Sequence, residues 1–456
     1  VKKIESLKLK GVHFAWEQRR FYPGRELAAR TVGFVGIDNQ GLAGLESHFD
    51  EIIRGTPEKR RVERDALGQV IDTSVSGAKL KGNDVILTLD KVIQFIAEKE
   101  LNNKIKETRA KGGVVIVMNP ENGEILAMAD NPQFNPNEYN KYHRSFWNNR
   151  AVSSVFEPGS TFKMFVAASA LDSSVIHPEE VVFCENGKYR VGDINVHEAH
   201  YKKYGKLSLR EVLAKSSNIG AIKIGERMSP DTFYAYLKKF GVGAKTGINL
   251  PGESRGLFKS PEKWSGSTRA AVSFGQEVSV TPIQLVTAVS SIANGGLLLK
   301  PLIVKEIVKN GEKVKSFEKT VVRRVISKGS GKIMGDLLQN VVENGTGKRA
   351  QIPGYRVAGK TGTAQKALQH GRGYSKTKFI SSFAGFVSSD DVPILSMVVI
   401  IDEPQTEKYG GRVAAPVFKS IASQTLRYLK VPSESNRVYR EAGISVSDSL
   451  RRVKEK

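Results

Sequence analysis

The sequence predicts an α/β fold: an antiparallel sheet flanked by helices, preceded by a smaller N-terminal α+β domain. Three observations lead there. Short apolar strand-like runs stand on both sides of a helical middle, at 85–89, 114–118 and 125–129, then at 356–363, 379–387 and 394–401. Asn122-Gly123 joins the second and third runs as a hairpin turn. The first 83 residues differ in texture, being charged and turn-rich.

Taken in order, the N-terminal part carries Gly41-Leu42-Ala43-Gly44-Leu45-Glu46, then Gly-containing and basic segments at 54–61 and 64–68. They read as turns, and no catalytic residue is expected among them. Run 85–89 leads into a helix capped by Asp90, with Val92, Ile93, Ile96 and Leu101 as its packing face. The stretch 156–218 is helical with loops, and 294–325 alternates turns with short apolar runs. Helical spacing over 327–342 ends at Gly345. Between the first two C-terminal strands, 366–378 is basic and reads as a mobile loop beside a cleft, or as a plain solvated hairpin loop. An amphipathic helix over 414–429 closes the domain, and a polar tail follows Pro432. The expected division is 1–83, 84–430 and 431–456.

Three strings carry chemistry. In Glu157-Pro158-Gly159-Ser160-Thr161-Phe162-Lys163, Pro and Gly stop the preceding segment and Ser starts a helix whose continuation is apolar on nearly every side. A spacing of three puts Ser160 and Lys163 on one helical face. A serine hydroxyl needs a base, and a lysine stripped of water favours its neutral amine. In Lys215-Ser216-Ser217-Asn218, Ser216 and Asn218 both face one cleft from a tight turn. Ser216 is then a proton relay, and Asn218 a partner for a substrate amide. In Lys360-Thr361-Gly362-Thr363, a strand offers charge and hydroxyls to a carboxylate, and Gly362 allows close approach. An extended ligand pairs with such a strand by edge addition. The backbone N–H groups of Ser160 and Thr363 are candidates for an oxyanion hole. Each string alone also reads blandly, as a cap, a turn or a surface tripeptide.

Jointly, and in this order, the strings resemble the motif set of penicillin-binding proteins and β-lactamases. The chain resembles a class B penicillin-binding protein of the division (septal) type over roughly residues 41–429. Gly113-Val114-Val115-Ile116-Val117-Met118-Asn119-Pro120 and Val272-Ser273-Phe274-Gly275-Gln276 strengthen the likeness. Ser217 stands where the β-lactamase pattern has Asp.

The resemblance implies a penicillin-binding-protein/β-lactamase-like transpeptidase domain on a dimerisation-type pedestal. It implies a peptidoglycan D,D-transpeptidase that cross-links stem peptides through a Ser160 acyl-enzyme and is acylated by β-lactams. Lys163 is then the base, Ser216 the relay and Asn218 the holder of the donor amide. Lys360, Thr361, Gly362 and Thr363 bind the terminal carboxylate. The implied partners are a membrane glycosyltransferase and other divisome proteins, with no metal or organic cofactor. An upstream membrane anchor, missing from this chain, places the catalytic domain on the outer side of the bacterial membrane. The rivals are a D,D-carboxypeptidase, a β-lactamase, and a non-enzymatic penicillin sensor or divisome scaffold.

Composition bounds the answer. At 456 residues and 40% hydrophobic content, the chain buries a large core in two or more domains. The single cysteine, Cys184, excludes an internal disulfide and says little about compartment. The histidines show no usable ligand spacing; His197 and His200 come nearest. No stretch of ~20 apolar residues spans a bilayer. A net charge of +23 attracts polyanions. Without zinc-finger spacing, an RNA-binding signature or a long basic block, nucleic acid is not the expected partner. Anionic lipid headgroups and cell-wall polymers fit better, beside the plain reading of a solvated Lys-rich surface.

Overall fold

The computed structural model describes residues 2–7, 9, 12, 19–55, 82–192, 194–368 and 373–433. Segment 64–68, most of 54–61 and nearly all of the tail after 431 lie outside them.

The centre is a five-stranded antiparallel sheet. We label its strands β2 (Gly112–Met118), β3 (Ile125–Asn131), β5 (Arg356–Ala367), β6 (Tyr374–Ser389) and β7 (Val392–Asp402). Their spatial order is β5-β6-β7-β2-β3, so β5 lies at an edge. All seven residues of β2 are buried, because helices cover both faces. The pleat sends Val115 and Val117 to one face, against α1 (Lys91–Thr108) and α7 (Gly410–Tyr428). Val114, Ile116 and Met118 point to the other, against α2 (Lys163–Asp172), α5 (Pro282–Ala293) and α6 (Lys328–Glu343).

Local chemistry sets the boundaries. Asp90 caps α1 by accepting from Val92 N at 2.8 Å and Ile93 N at 3.0 Å. Ile93, Ile96 and Leu101 are buried as expected, whereas Val92 is 40% exposed and lies off the packing face. Between β2 and β3, Gly123 takes φ +86° and the Asn119 and Asn122 side chains close the turn. Ser327 caps α6, and Gly345 follows its end. Strand β1 (Asp84–Leu87) pairs with β4 (Val304–Lys309), which ties the start of the second expected segment to its middle.

Of the basic stretch 366–378, residues 369–372 lie outside the described residues, and only its two ends bear on its reading as a mobile or hairpin loop. Strands β5 and β6 extend into it from both sides. Lys366 is pinned by Asp402 at 2.8 Å and Glu403 at 2.7 Å. Two carboxylates at and just past the end of β7 outweigh the solvation that a free lysine would keep.

The N-terminal part is not sealed off at 83. Phe34 stacks on Tyr139 at 4.5 Å and meets Phe134 and Trp147 edge-on. Arg30 forms a buried ion pair with Asp130 at 2.8 Å and donates to the Phe146 carbonyl at 2.6 Å. Residues 134–147 thus complete the core of the pedestal.

Candidate active site

The three strings converge. Ser160 lies in a 3₁₀ turn, Gly159–Phe162, that runs directly into α2. Gly159 has φ +55° and donates to the Gly275 carbonyl at 3.0 Å. A Cβ on Gly275 would sit 2.1 Å from the Gly159 oxygen, so the turn before the nucleophile rests on bare backbone. Gly362 plays the same part on the other side. A Cβ there would lie 2.3 Å from Ser382 Oγ and 2.9 Å from Thr161 Cγ2. The expected close approach is therefore between β5 and the turn that carries Ser160.

Helix α3 (Leu209–Lys215) opens with a Ser208–Glu211 capping box and ends at Ser216, which takes φ 59°. That left-handed residue turns the chain sharply into α4 (Asn218–Glu226). Lys163 Nζ donates to the Ser216 carbonyl at 2.7 Å and to Asn218 Oδ1 at 2.7 Å, with Ser216 Oγ at 3.4 Å. Lys360 Nζ donates to the same Ser216 Oγ at 2.8 Å. One hydroxyl thus stands between two amines. Both lysines are buried, at 1% and 0% exposure. Burial pushes Lys163 down to about 7, against the opposing pull of the Glu198 carboxylate. Burial, then the nearby Lys163, holds Lys360 well below the ordinary lysine value.

Glu198 was not found from sequence. It is 3% exposed, accepts from Asn218 N at 2.7 Å and Ile219 N at 3.3 Å, and takes the Ser217 hydroxyl in a short hydrogen bond. It therefore clamps the first turn of α4 and fixes Asn218, which in turn holds Lys163. A lone Glu in a polar stretch gives no sequence signal for this.

Ser160, Ser216, Thr361 and Thr363 line one cleft of 660 Å³. Ser160 is half-buried, and its hydroxyl has no hydrogen-bond partner among the described residues. Lys163 and Lys360 lie behind that wall rather than on it. The hydroxyls of Thr361 and Thr363 face the cleft from β5, tied to Thr346 Oγ1 at 2.8 Å and Gly410 N at 3.0 Å. Asn218 already spends its oxygen on Lys163 and one amide hydrogen on the His197 carbonyl at 3.0 Å, leaving one hydrogen for a substrate. Across the mouth, His200 and Tyr409 meet ring to ring at 4.9 Å. No cluster of metal-ligating side chains occurs among the described residues.

The family described as penicillin binding protein transpeptidase domain matches residues 113–423, and the penicillin-binding protein dimerisation domain matches 1–87. The chain is a class B penicillin-binding protein. This class B protein is 38% identical to stage V sporulation protein D of Bacillus subtilis over 443 residues, 96% of this chain and 68% of that protein. It is 36% identical to the peptidoglycan D,D-transpeptidase FtsI of Escherichia coli K12 over 437 residues, 95% of this chain and 71% of that one. Penicillin binding protein 3 from Mycobacterium tuberculosis, solved with ampicillin, superposes with a TM-score of 0.81 at 32% identity. That match covers 91% of this chain and 90% of the other. The expected fold and family are borne out.

Proposed function

We propose that this class B penicillin-binding protein is a septal-type peptidoglycan D,D-transpeptidase acting through Ser160. The observation that carries the reading is the buried amine of Lys163, shifted to about 7, gathered with Ser216, Asn218 and Lys360 against the wall that presents Ser160.

The chemistry follows in two steps. The neutral Lys163 amine takes the Ser160 proton as Oγ bonds to the carbonyl carbon of the penultimate D-Ala. The amides of Ser160 and Thr363 stabilise the oxyanion. Collapse breaks the peptide bond, and Ser216 hands the proton from Lys163 to the leaving amine of the terminal D-Ala. An acceptor amine then attacks the acyl-enzyme, its proton returns through the same groups, and Ser160 is released. As the edge strand, β5 has no sheet neighbour on its outer rim among the described residues, which suits an extended donor peptide. Thr361 and Thr363 receive the terminal carboxylate, and Lys360 supplies positive potential from behind Ser216. β-Lactams acylate Ser160 in place of the donor.

The two most informative relatives are named for sporulation and for peptidoglycan transpeptidation. The reading places the domain outside the bacterial membrane, beside a membrane glycosyltransferase and other divisome proteins, on an anchor supplied upstream. Among the described residues no helix is long and apolar enough to cross a membrane. The test is incubation with a fluorescent penicillin followed by intact mass over hours. A single persistent adduct on wild type and none on Ser160→Ala is expected. Adduct on the alanine variant, or rapid turnover, overturns the reading.

A further inference from the structure

The cleft carries far more positive charge than its chemistry uses. Five cations line it, Lys202, Lys215, Lys348, Arg349 and Arg412, against one carboxylate, Glu198. Glu198 is buried and already held by Ser217, Asn218 and Ile219. Lys215 is paired with Glu211 at 2.8 Å and Arg412 with Glu407 at 3.1 Å. Lys202, Lys348 and Arg349 have no ion-pair or hydrogen-bond partner for their side chains among the described residues.

Their placement is fixed by the backbone. Lys348 and Arg349 begin a 3₁₀ turn, Lys348–Ala350, anchored by the buried Ala350. The loop before it is tied to the site: Thr346 N donates to the Ala214 carbonyl at 3.2 Å, and the Thr346 hydroxyl bonds that of Thr361. On a separate lining segment, Lys202 follows His200 and Tyr201, both at positive φ. Like charges gathered around one concave site add their fields within it. The terminal carboxylate of the donor accounts for one anion, at Thr361 and Thr363. Three unneutralised cations remain.

We propose that Lys202, Lys348 and Arg349 form a specificity-determining subsite for a second peptide carboxylate, beyond the D-Ala terminus. The proposal rests on the transpeptidase reading above. The carboxylate belongs either to an acidic residue upstream in the donor peptide or to the acceptor, and the experiment separates the two.

The full chain is compared with the double variant Lys348→Gln/Arg349→Gln, whose positions are exposed. In the donor arm, release of D-Ala is followed without acceptor from two D-Ala-D-Ala-terminated peptides, one with its upstream acidic side chain free and one with it amidated. In the acceptor arm, an amidated donor is transferred to D-alanine or to D-alaninamide. Wild type is expected to favour the carboxylate form by roughly twofold to fivefold in kcat/KM in one arm, the upper part of the range for exposed charge pairs. That preference should shrink at higher salt. The double variant should lose it while handling the amidated form, and a fluorescent penicillin, within about twofold of wild type. Equal use of both forms by wild type in both arms overturns the proposal. So does an equal loss on both forms in the variant. Failure of penicillin to acylate wild type sinks the transpeptidase reading instead, a separate result.

Discussion

Replacing Glu198 by Gln should move the pH dependence of acylation downward. On the proposed mechanism, acylation in the wild type needs the neutral amine of Lys163, whose value burial lowers to about 7. The neutral fraction is then about one-tenth at pH 6 and about nine-tenths at pH 8, so the rate should rise roughly ninefold between them. Glu198 opposes that shift, because its charge favours protonated Lys163. The two groups are bridged by Asn218, which donates its N–H to the carboxylate at 2.7 Å and accepts from the amine at 2.7 Å. At an effective dielectric of about 20, opposite charges one residue apart interact by ~2 kcal/mol. At ~1.4 kcal/mol per unit, the midpoint should fall by roughly one to two units in the variant. The assay is the second-order rate of fluorescent-penicillin acylation from pH 5 to 9, with a melting curve on each sample. The amplitude reports how well Gln still holds the start of α4; the midpoint reports the charge. A wild-type profile flat across this range, or a midpoint unmoved in a folded variant, would refute the reasoning.

Three further outcomes follow from particular contacts. Gly275→Ala should cut acylation at least tenfold and lower the melting temperature, because its Cβ meets the Gly159 oxygen at 2.1 Å and displaces the turn before Ser160; a normal rate would mean that the turn is not positioned there. Arg30→Met should cost about 3 kcal/mol or more by leaving Asp130 buried without its partner, read by chemical denaturation, while Arg30→Met/Asp130→Leu regains most of it. Lys163→Met should abolish acylation yet raise stability, more at pH 6 than at pH 10. Lys163 titrates near 7 when folded and at 10.5 in the open chain, so the unfolded state holds the extra proton between those values. Stability therefore climbs with pH through that window, and below it the native state must bury a charge. A larger gain at pH 10 would contradict the sign.

How much was legible in the sequence depended on whether the cause was local. The cap at Asp90, the turn at Gly123 and the stop after α6 are set by a few neighbouring residues, and each was readable. The face of α1 was misjudged at Val92 because periodicity cannot say how wide the covering sheet will be. The pinning of Lys366 was not legible because its partners come from the end of β7, 36 residues away for Asp402 and 37 for Glu403. At the site, the three strings named the residues that the structure gathers but not what holds them. Glu198 and Thr346 act through contacts that only the folded chain brings together, and neither has a residue type or spacing that marks it out.

The same distinction bears on how the site works. Ser216 Oγ lies 2.8 Å from one buried amine and 3.4 Å from another. Burial displaces both values downward, and the Lys163 charge lowers Lys360 further, so full protonation of both is disfavoured. On the proposed mechanism, the proton that Ser160 gives up therefore enters a small shared store rather than a single base. Because Lys163 is also held by the Ser216 carbonyl and by Asn218, it can lose or gain that proton without leaving its place. Glu198 sets how readily it does so, while Lys360 keeps the Ser216 hydroxyl oriented towards the route out. On this account the charge of the first lysine helps hold the second below its ordinary value, and the second acts on the site through its hydrogen bond to the Ser216 hydroxyl.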